Sequence, residues 1–521
     1  MARISENELN NLKHLIELNP QEALSLLLTY EKDFADDVNL IENRGAFLID
    51  IGSALGDMAI VQRGIDSIQQ LLSPIDDHTR LRFSYNLGNG YSALHNISRC
   101  QSTYCFDPDH TPLIQAKRFY RETLQGQGRL DASLRAQVHI NYGNCLSGLG
   151  RSLEAISEYD TALSYAPDHP MAWGNLGIEL NHFAFIAGDL AVFQDAHAAL
   201  GRALAGSQLE QTGHSLARPY FENPRQEMES LLNKMKGRST PGMDKMPVIS
   251  TPYHQAYADH CAKHFLFLNF SLKIRPSPHS FEDTVGFSLI TGIQDNVTFP
   301  RLARVVNDIK EKYATARWLL FLAKKPPLDF LQIDELTRYV DNLDYAVYGI
   351  QPGMLKTAFE SAYNVLDKIA VFLNDYLNLG MKEHQVHFTK VWRKSGTTRI
   401  RENMRDLGSC HLFGLYDISR DLDRGGYLEY LRTTRNLSTH CYLVPHSEGF
   451  SWREDADGAE YHMEYRDLFD RVTELLRLVR SAVIYLIAFI ADEERRRHPN
   501  REGIPPVPVF VYQPYPIDPR H

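Results

Sequence analysis

The strongest constraint on the fold is a repeated pattern of small and aromatic residues in the N-terminal half of the chain. One unit of this pattern contains Gly143, Gly150, Ala155, Tyr159, Ala162 and Pro167. The next unit opens with Trp173, Leu176 and Gly177, at a period of about 34 residues. Small residues let two helices pack closely, and the proline ends the second helix. Such a period predicts a stack of helix pairs, each burying its apolar face against its neighbours.

These positions resemble the signature of tetratricopeptide repeats. An earlier unit carries Leu87, Gly88 and Tyr91, and a degenerate one surrounds Gly56. Residues 98–126 interrupt the array, and we read them as an extended loop plus an added helix. We therefore expect residues 1–235 to form a tetratricopeptide-like helical solenoid. The resemblance implies a concave groove that binds a protein or peptide partner.

A break in composition separates this array from the rest of the chain. Residues 236–252 are rich in Pro, Gly, Ser and Thr, which predicts a linker. A second helical domain is expected at 253–500, followed by a Pro-rich extended tail at 501–521. The predicted fold class is therefore all-α, with a helical solenoid followed by a helical bundle.

The second domain contains several strong helical patterns. We predict helices at about 256–270, 301–323, 353–380 and 466–497. The third of these has apolar residues at spacings of three and four along one face. They are Leu355, Phe359, Ala362, Leu366, Ile369, Leu373 and Tyr376. We expect this seam to lie in the core of the bundle.

A polar motif lies on a further predicted helix, from about Tyr427 to Val444. It reads Arg435-Asn436-Leu-Ser-Thr-His440, and Asn436 and His440 share one helix face because they are four residues apart. Arg432 extends that face. A permanent cation, an amide and an imidazole in one place form a plausible phosphate-cleaving site. The spacing also occurs by chance, and the alternative is a surface arginine with a capping or core histidine.

The motif and its flanking helices resemble the HEPN family of α-helical domains. Ribonuclease members carry an arginine followed a few residues later by histidine, often with asparagine directly after the arginine. The stretch from Ser361 to Ala370 also resembles the second helix of a bacterial HEPN subgroup that follows tetratricopeptide repeats. The resemblance implies that His440 transfers protons, that Arg435 holds the phosphate, and that Asn436 orients one of these two side chains or the phosphate. The alternative for Asn436 is an amide on the helix surface. It also implies a homodimer with a composite site.

A basic segment from Phe388 to Arg405 is a candidate for RNA binding. It contains Arg393, Lys394, Arg399 and Arg401, with Trp392 among them and few acids. Basic residues with an interleaved aromatic suit a flexible RNA strand. With Arg432, these four cations are the predicted substrate-binding residues. The alternative is an ordinary exposed basic loop.

Composition narrows the remaining possibilities. The formal net charge of −10 argues against a general nucleic-acid coating protein, so any RNA contact must be local. The scattered cysteines suit reduced core thiols of a cytosolic protein, and the apolar run Ser481–Ala491 is too short to span a bilayer. His254, His260, Cys261 and His264 suggest a metal site, with His260 and His264 four residues apart on a helix. No third ligand has a fixed spacing and no acidic partner follows, so we predict no metal and no cofactor.

The leading hypothesis is a metal-independent endoribonuclease with RNA as its substrate. Such architectures in bacteria resemble toxin or antiphage defence effectors, with the repeat region sensing or restraining the nuclease. The rival hypothesis is a non-catalytic adaptor that binds protein or peptide partners through its repeats. The two differ in whether Arg435 and His440 face one solvent-accessible cleft.

Overall fold

The computed structural model describes most of the chain. The described residues are 6–30, 38–71, 76–101, 109, 111–187, 190–207, 209, 217–235, 251–269, 281–286, 298–326, 332–341, 343–394, 396–449 and 460–498. The predicted linker, apart from Thr251 and Pro252, and the predicted tail at 501–521 lie outside these residues. The chain divides into two compact units. Unit 1 consists of Met1–Arg238 and Glu402–Phe413, and unit 2 of Ser239–Arg401 and Gly414–His521.

The fold is all-α, as the sequence predicts, and unit 1 is a succession of helices. Its helices are α1 Glu6–Leu18, α2 Pro20–Thr29, α3 Val38–Leu55, α4 Met58–Gln69, α5 Asp77–Gln101, α6 Thr111–Gln125, α7 Ala132–Gly148, α8 Ser152–Tyr165, α9 Pro170–Ala187, α10 Leu190–Ala203 and α11 Arg218–Met235. Consecutive helices pack against each other, and α3, α5, α7 and α9 each also contact the next of that series. This packing is that of a helical solenoid.

The same close contact recurs in two helix pairs of unit 1. A Cβ at Gly88 would lie 2.6 Å from the ring of Tyr120, and one at Gly143 would lie 2.6 Å from the ring of Tyr159. In both pairs the tyrosine hydroxyl donates a hydrogen bond of 2.8 Å to the asparagine that follows the glycine. A side chain at either glycine would therefore push the paired helix away. The identification of these pairs as tetratricopeptide repeats stays a prediction.

Among the described residues, unit 2 is built mainly from three long helices. The elements from Pro252 onward are α12 Pro252–Lys263, α13 Thr298–Lys324, α14 Ile350–Tyr376, α15 Glu402–Arg405, α16 Cys410–Leu422, α17 Glu429–His440, β1 Tyr442–His446, β2 Glu460–Glu464 and α18 Tyr465–Arg497. Of these, α15 belongs to unit 1, and α16 begins in unit 1 and ends in unit 2. Helices α13, α14 and α18 pack together, and α17 packs on α14. The predicted helix at 256–270 is displaced, because Phe265 has a positive φ of 54° that ends the helix before it.

The apolar seam predicted on α14 forms the core of this bundle. All seven predicted positions, from Leu355 to Tyr376, are buried. Residues 481–490 of α18 are buried on every side, as expected for a helix enclosed by its neighbours. Among the described helices, none has the length and hydropathy needed to cross a membrane.

A small parallel sheet joins the ends of two helices, and the sequence did not predict it. Strand β1 pairs with β2 in parallel, with Tyr442 opposite Glu460 and His446 opposite Glu464. The predicted extension of the motif helix to Val444 is therefore wrong. The run Tyr442-Leu443-Val444 favours extended backbone, and the following Pro445 disfavours a helical conformation at Val444.

Candidate functional site

The motif helix α17 is fixed to the bundle by a few buried or half-buried groups. Leu431 and Thr434 are fully buried, and the Thr434 hydroxyl donates to the Tyr430 carbonyl oxygen at 2.8 Å. Arg471 of α18 donates to that hydroxyl oxygen at 2.8 Å. On the side facing α14, the Ser438 hydroxyl donates to Glu360. The helix therefore has a defined rotation about its axis, which sets where its polar residues point.

Arg435 and Asn436 lie together at the surface of this helix. Nη1 of Arg435 donates a hydrogen bond of 3.2 Å to Oδ1 of Asn436. The Arg435 guanidinium carbon lies 5.8 Å from the ring centroid of Tyr363 on α14, within the range of a cation–π contact. Arg435 is half-buried and Asn436 is exposed. The arginine is thus positioned from two sides while its neighbour faces solvent.

His440 is the last residue of α17, and Cys441 after it has extended backbone. The His440 side chain lies outside the described part of the structure. Its predicted role as the proton-transfer group therefore stays a prediction. The criterion of one cleft shared by Arg435 and His440 depends on the same side chain.

Arg432 and Arg393 meet at a single carboxylate. Nη1 of Arg432 donates to Oδ1 of Asp423 at 3.0 Å, and Nη1 of Arg393 lies 3.6 Å from Oδ2 of the same group. Arg432 also donates to Glu429 at 3.1 Å, and Nε of Arg393 donates to the Tyr416 hydroxyl at 3.3 Å. The structure therefore brings together a predicted residue of the motif helix and one of the basic segment.

Tyr363 is surrounded by the charges of this cluster. Burial raises the pKa of Tyr363 well above its usual range, Asp367 and Asp423 act in the same direction, and Arg432 and Arg435 oppose them. The Tyr363 hydroxyl is therefore neutral at physiological pH and keeps its proton for hydrogen bonding. Sequence reasoning missed both Tyr363 and Asp423. The signal for Asp423 was its place in the short Asp-Arg-Gly-Gly turn that leads into the motif helix.

The basic segment forms a short hairpin whose cations differ in exposure. Arg393 and Ile400 form an antiparallel bridge at its base. Lys394 and Arg399 are exposed, as the RNA-binding prediction requires. Arg401 is half-buried, its Nε donates to the Val391 carbonyl oxygen at 2.8 Å, and burial lowers its pKa.

The aromatic residue of the basic segment differs from the prediction. Trp392 is fully buried, and its indole N–H donates to the Phe388 carbonyl oxygen at 2.6 Å. It is a core residue and offers no face for a base, because an apolar indole with its one donor satisfied gains more from burial than from exposure. Arg401 supports the backbone of the segment through its hydrogen bond to Val391, and its predicted contact with substrate stays a prediction.

Two of the histidines considered for a metal, His260 and His264, lie close together among cationic side chains. The His260 and His264 ring centroids are 4.6 Å apart. Burial lowers the pKa of His260 to about 3 and that of His264 to about 4, and nearby Lys324 acts in the same direction on both. Arg477 also donates to the His264 carbonyl oxygen at 2.9 Å. Cations around this pair oppose the binding of a further cation.

A comparison with known families bears on this unit. Residues 293–493 match the family model described as LA2681-like HEPN. The match supports a HEPN domain in this part of the chain. The match includes α13, α14, α17 and nearly all of α18, and with them Arg435, Asn436 and His440. No curated protein matches the chain.

Proposed function

We propose that the protein is an endoribonuclease that cleaves RNA through its HEPN domain. The observation that supports this most directly is the position of Arg435 and Asn436. They lie hydrogen-bonded to each other at the surface of the motif helix, inside the HEPN match. Arg432 and Arg393, joined through Asp423, add two cations from neighbouring segments.

The proposed reaction uses a nucleophile that the RNA itself carries. The 2′-oxygen attacks the adjacent phosphorus, the bond from phosphorus to the 5′-oxygen breaks, and His440 transfers protons between these oxygens. Arg435 stabilises the charge that develops on the phosphorane oxygens. The products are a 2′,3′-cyclic phosphate and a 5′-hydroxyl. The reaction needs no metal to generate a nucleophile.

A homodimer would supply the groups that one motif lacks. One copy of the motif offers one histidine, whereas the reaction needs a base for the 2′-hydroxyl and an acid for the 5′-oxygen. Two copies related by a two-fold axis would bring two histidines and two arginines to one phosphate. Mixing an Arg435→Ala chain with a His440→Ala chain tests this arrangement. The mixed dimer keeps one intact arginine and one intact histidine, so it recovers partial cleavage if one of each suffices at the composite site. Such recovery supports the dimer, and a fully active monomer in sedimentation at assay concentration contradicts it.

The cellular role that we propose is that of a cytoplasmic toxin or antiphage effector, with unit 1 as the region that receives a signal or restrains cleavage. The succession of stacked helices in unit 1 supports a partner-binding role. This part of the proposal rests on architecture rather than on site residues.

The decisive experiment is incubation of the purified chain with mixed RNA in the presence of a chelator. We expect cleavage products ending in 2′,3′-cyclic phosphate, and none with the His440→Ala chain. Cleavage that requires added magnesium would indicate a different mechanism. If neither chain cleaves RNA under any condition, the adaptor hypothesis replaces the nuclease.

A further inference from the structure

A cluster of three potential metal ligands lies in unit 1, and two of the three are within residues 293–493 of the HEPN match. His182 comes from the middle of α9, and Cys410 and His411 begin α16. The Nε2 atoms of the two histidines are 3.0 Å apart, and the Cys410 Sγ lies 3.7 Å from Nε2 of His182. All three donor atoms lie within 4.8 Å of one another.

These separations are close to those of a tetrahedral zinc site. Zinc binds histidine nitrogen at about 2.0–2.1 Å and cysteine sulfur at about 2.3 Å. Tetrahedral angles then place two nitrogens about 3.3 Å apart, and a nitrogen and the sulfur about 3.6 Å apart. The distance between the two ring nitrogens and that between Cys410 Sγ and His182 Nε2 therefore lie within a few tenths of an ångström of these values, and the third pair of donor atoms lies within 4.8 Å.

The alternative within the same geometry is a hydrogen bond. One histidine Nε2–H can donate to the other Nε2 at 3.0 Å, and the thiol can donate to a ring nitrogen. A hydrogen-bonded pair needs only two groups at this place. Three donor atoms that converge, one of them a sulfur, form a more complete ligand set for a metal than for a proton.

The surroundings of the cluster suit a bound cation. Glu179, one helical turn before His182 on α9, is buried and interacts electrostatically with His411. It accepts hydrogen bonds from Ser147 and Ser152, which hold the carboxylate in place. Two neutral histidines and a thiolate leave a bound zinc with one positive charge. Burial raises the pKa of Glu179, whereas the two serines and His411 act in the opposite direction, and a bound cation nearby would also favour the charged carboxylate. The His260 and His264 pair of unit 2, by contrast, has lysines and an arginine near it.

Burial is graded across the cluster. His411 is fully buried and its ring packs near Phe183, with 6.0 Å between ring centroids. Cys410 is half-buried, and His182 is exposed. One side of the cluster is therefore closed by apolar groups, whereas the side of His182 gives solvent access for the ion and for a water molecule as fourth ligand.

We propose that His182, Cys410 and His411 bind one zinc ion, with solvent or a small ligand in the fourth position. The donor set of two imidazoles and one thiolate favours zinc or a similar late first-row divalent ion over magnesium or calcium. The ion cross-links α9 to the beginning of α16, more than two hundred residues later in the chain. It is a site separate from the proposed nuclease chemistry, and its test does not use RNA.

The test measures zinc binding by the full chain, which is first freed of metals by dialysis and then supplied with zinc. We expect one zinc per chain by elemental analysis. With cobalt as a spectroscopic probe, we expect a thiolate-to-metal charge-transfer band. Cys410→Ser should remove the band and weaken binding more than about 100-fold, since a lost ligand costs more than a lost supporting group. His182→Asn, at the exposed ligand, is the second variant and should also lower the affinity.

Two controls separate the site from general metal binding. Cys441→Ser removes an exposed thiol, and His264→Ala removes one histidine of the His260 and His264 pair. Both variants should bind zinc as the unaltered chain does. Zinc should raise the melting temperature of the unaltered chain but not that of Cys410→Ser. Equal metal content and equal spectra in the unaltered, Cys410→Ser and His182→Asn chains would overturn the proposal and leave a hydrogen-bonded histidine pair.

Discussion

The motif helix and the basic hairpin carry similar charges in the sequence but make them available in different ways. Arg432 of the helix and Arg393 at the base of the hairpin are both held by Asp423, whereas Lys394 and Arg399 at the hairpin tip are exposed. Arg435 is intermediate in how firmly it is held. It donates one hydrogen bond to Asn436, and its guanidinium lies over the ring of Tyr363. The difference separates cations that protein groups hold in place from cations whose side chains are exposed.

The distinction has a physical basis. A guanidinium held by two or more partners loses little further freedom when a phosphate binds, so it can act on a defined oxygen. An exposed lysine or arginine must be ordered at the moment of contact and is screened by salt. We therefore expect substitutions in the helix to change the rate of cleavage and substitutions at the hairpin tip to change RNA affinity.

The largest effect is expected from the motif itself. His440→Ala should lower the cleavage rate by about 10²–10⁴-fold, the usual contribution of a general acid or base. Arg435→Ala should do the same through loss of transition-state charge stabilisation. Arg435 is half-buried and fills no core position, so the helical circular dichroism and melting temperature should stay nearly unchanged. His440→Ala that cleaves at the unaltered rate would contradict the site.

A smaller effect on the cleavage rate is expected from Asp423, whose carboxylate links the basic hairpin to the motif helix. Asp423→Asn should lower kcat by roughly 10-fold to 100-fold, because Arg393 and Arg432 lose a shared anchor and their positions become less defined. The matched control is Asp406→Asn, which removes an exposed carboxylate paired with Arg405 outside the cluster. Equal kcat values for the two variants would mean that the Asp423 bridge has no part in catalysis.

The next effect concerns the amide beside Arg435. Asn436→Ala removes one hydrogen bond of 3.2 Å to the guanidinium. A net loss of about 1 kcal/mol corresponds to roughly 5-fold in kcat/KM. Asn436→Asp keeps an acceptor but adds a charge that competes with phosphate, so it should be worse than alanine. If the aspartate variant is the more active of the two, Asn436 acts on something other than Arg435.

The smallest effect on cleavage kinetics is expected from the exposed cations of the hairpin. It is the most direct test of the difference between held and exposed cations. Replacing Lys394 and Arg399 with alanine should raise KM by about 3-fold and leave kcat unchanged, because exposed charges assist binding without touching the reacting atoms. Arg401→Ala should instead lower the melting temperature, since its Nε holds the Val391 carbonyl oxygen. An unchanged KM in the double variant would make the tip an ordinary solvated loop.

The sequence predicted those parts of unit 2 that depend on helical periodicity. The seam from Leu355 to Tyr376 repeats at the helical period, and burial follows that period directly. The end of the motif helix was missed because strand pairing of Tyr442 and Glu460 depends on a partner that local pattern does not reveal. Trp392 was misjudged because neighbouring charges say nothing about the core beneath them.

The two clusters of side chains were least accessible to sequence reasoning. Asp423 joins Arg393 and Arg432 from separate elements, so no fixed spacing marks the bridge. His182 and His411 are 229 positions apart, and motifs for metal sites rely on short spacings. The cysteines expected to be reduced core thiols also differ among themselves, since Cys145 and Cys261 are buried whereas Cys441 is exposed.

Asp423 has a further consequence for the thermodynamics of RNA binding. Each protein cation that neutralises a phosphate normally releases condensed counterions from the nucleic acid, and this release makes affinity fall steeply with salt. Arg393 and Arg432 already carry a counterion that is part of the protein and cannot diffuse away. A phosphate that contacts them leaves Asp423 in the same electrostatic neighbourhood, so the local potential gains less than two full charges. RNA affinity should therefore depend on salt less steeply than the number of arginines around the site suggests.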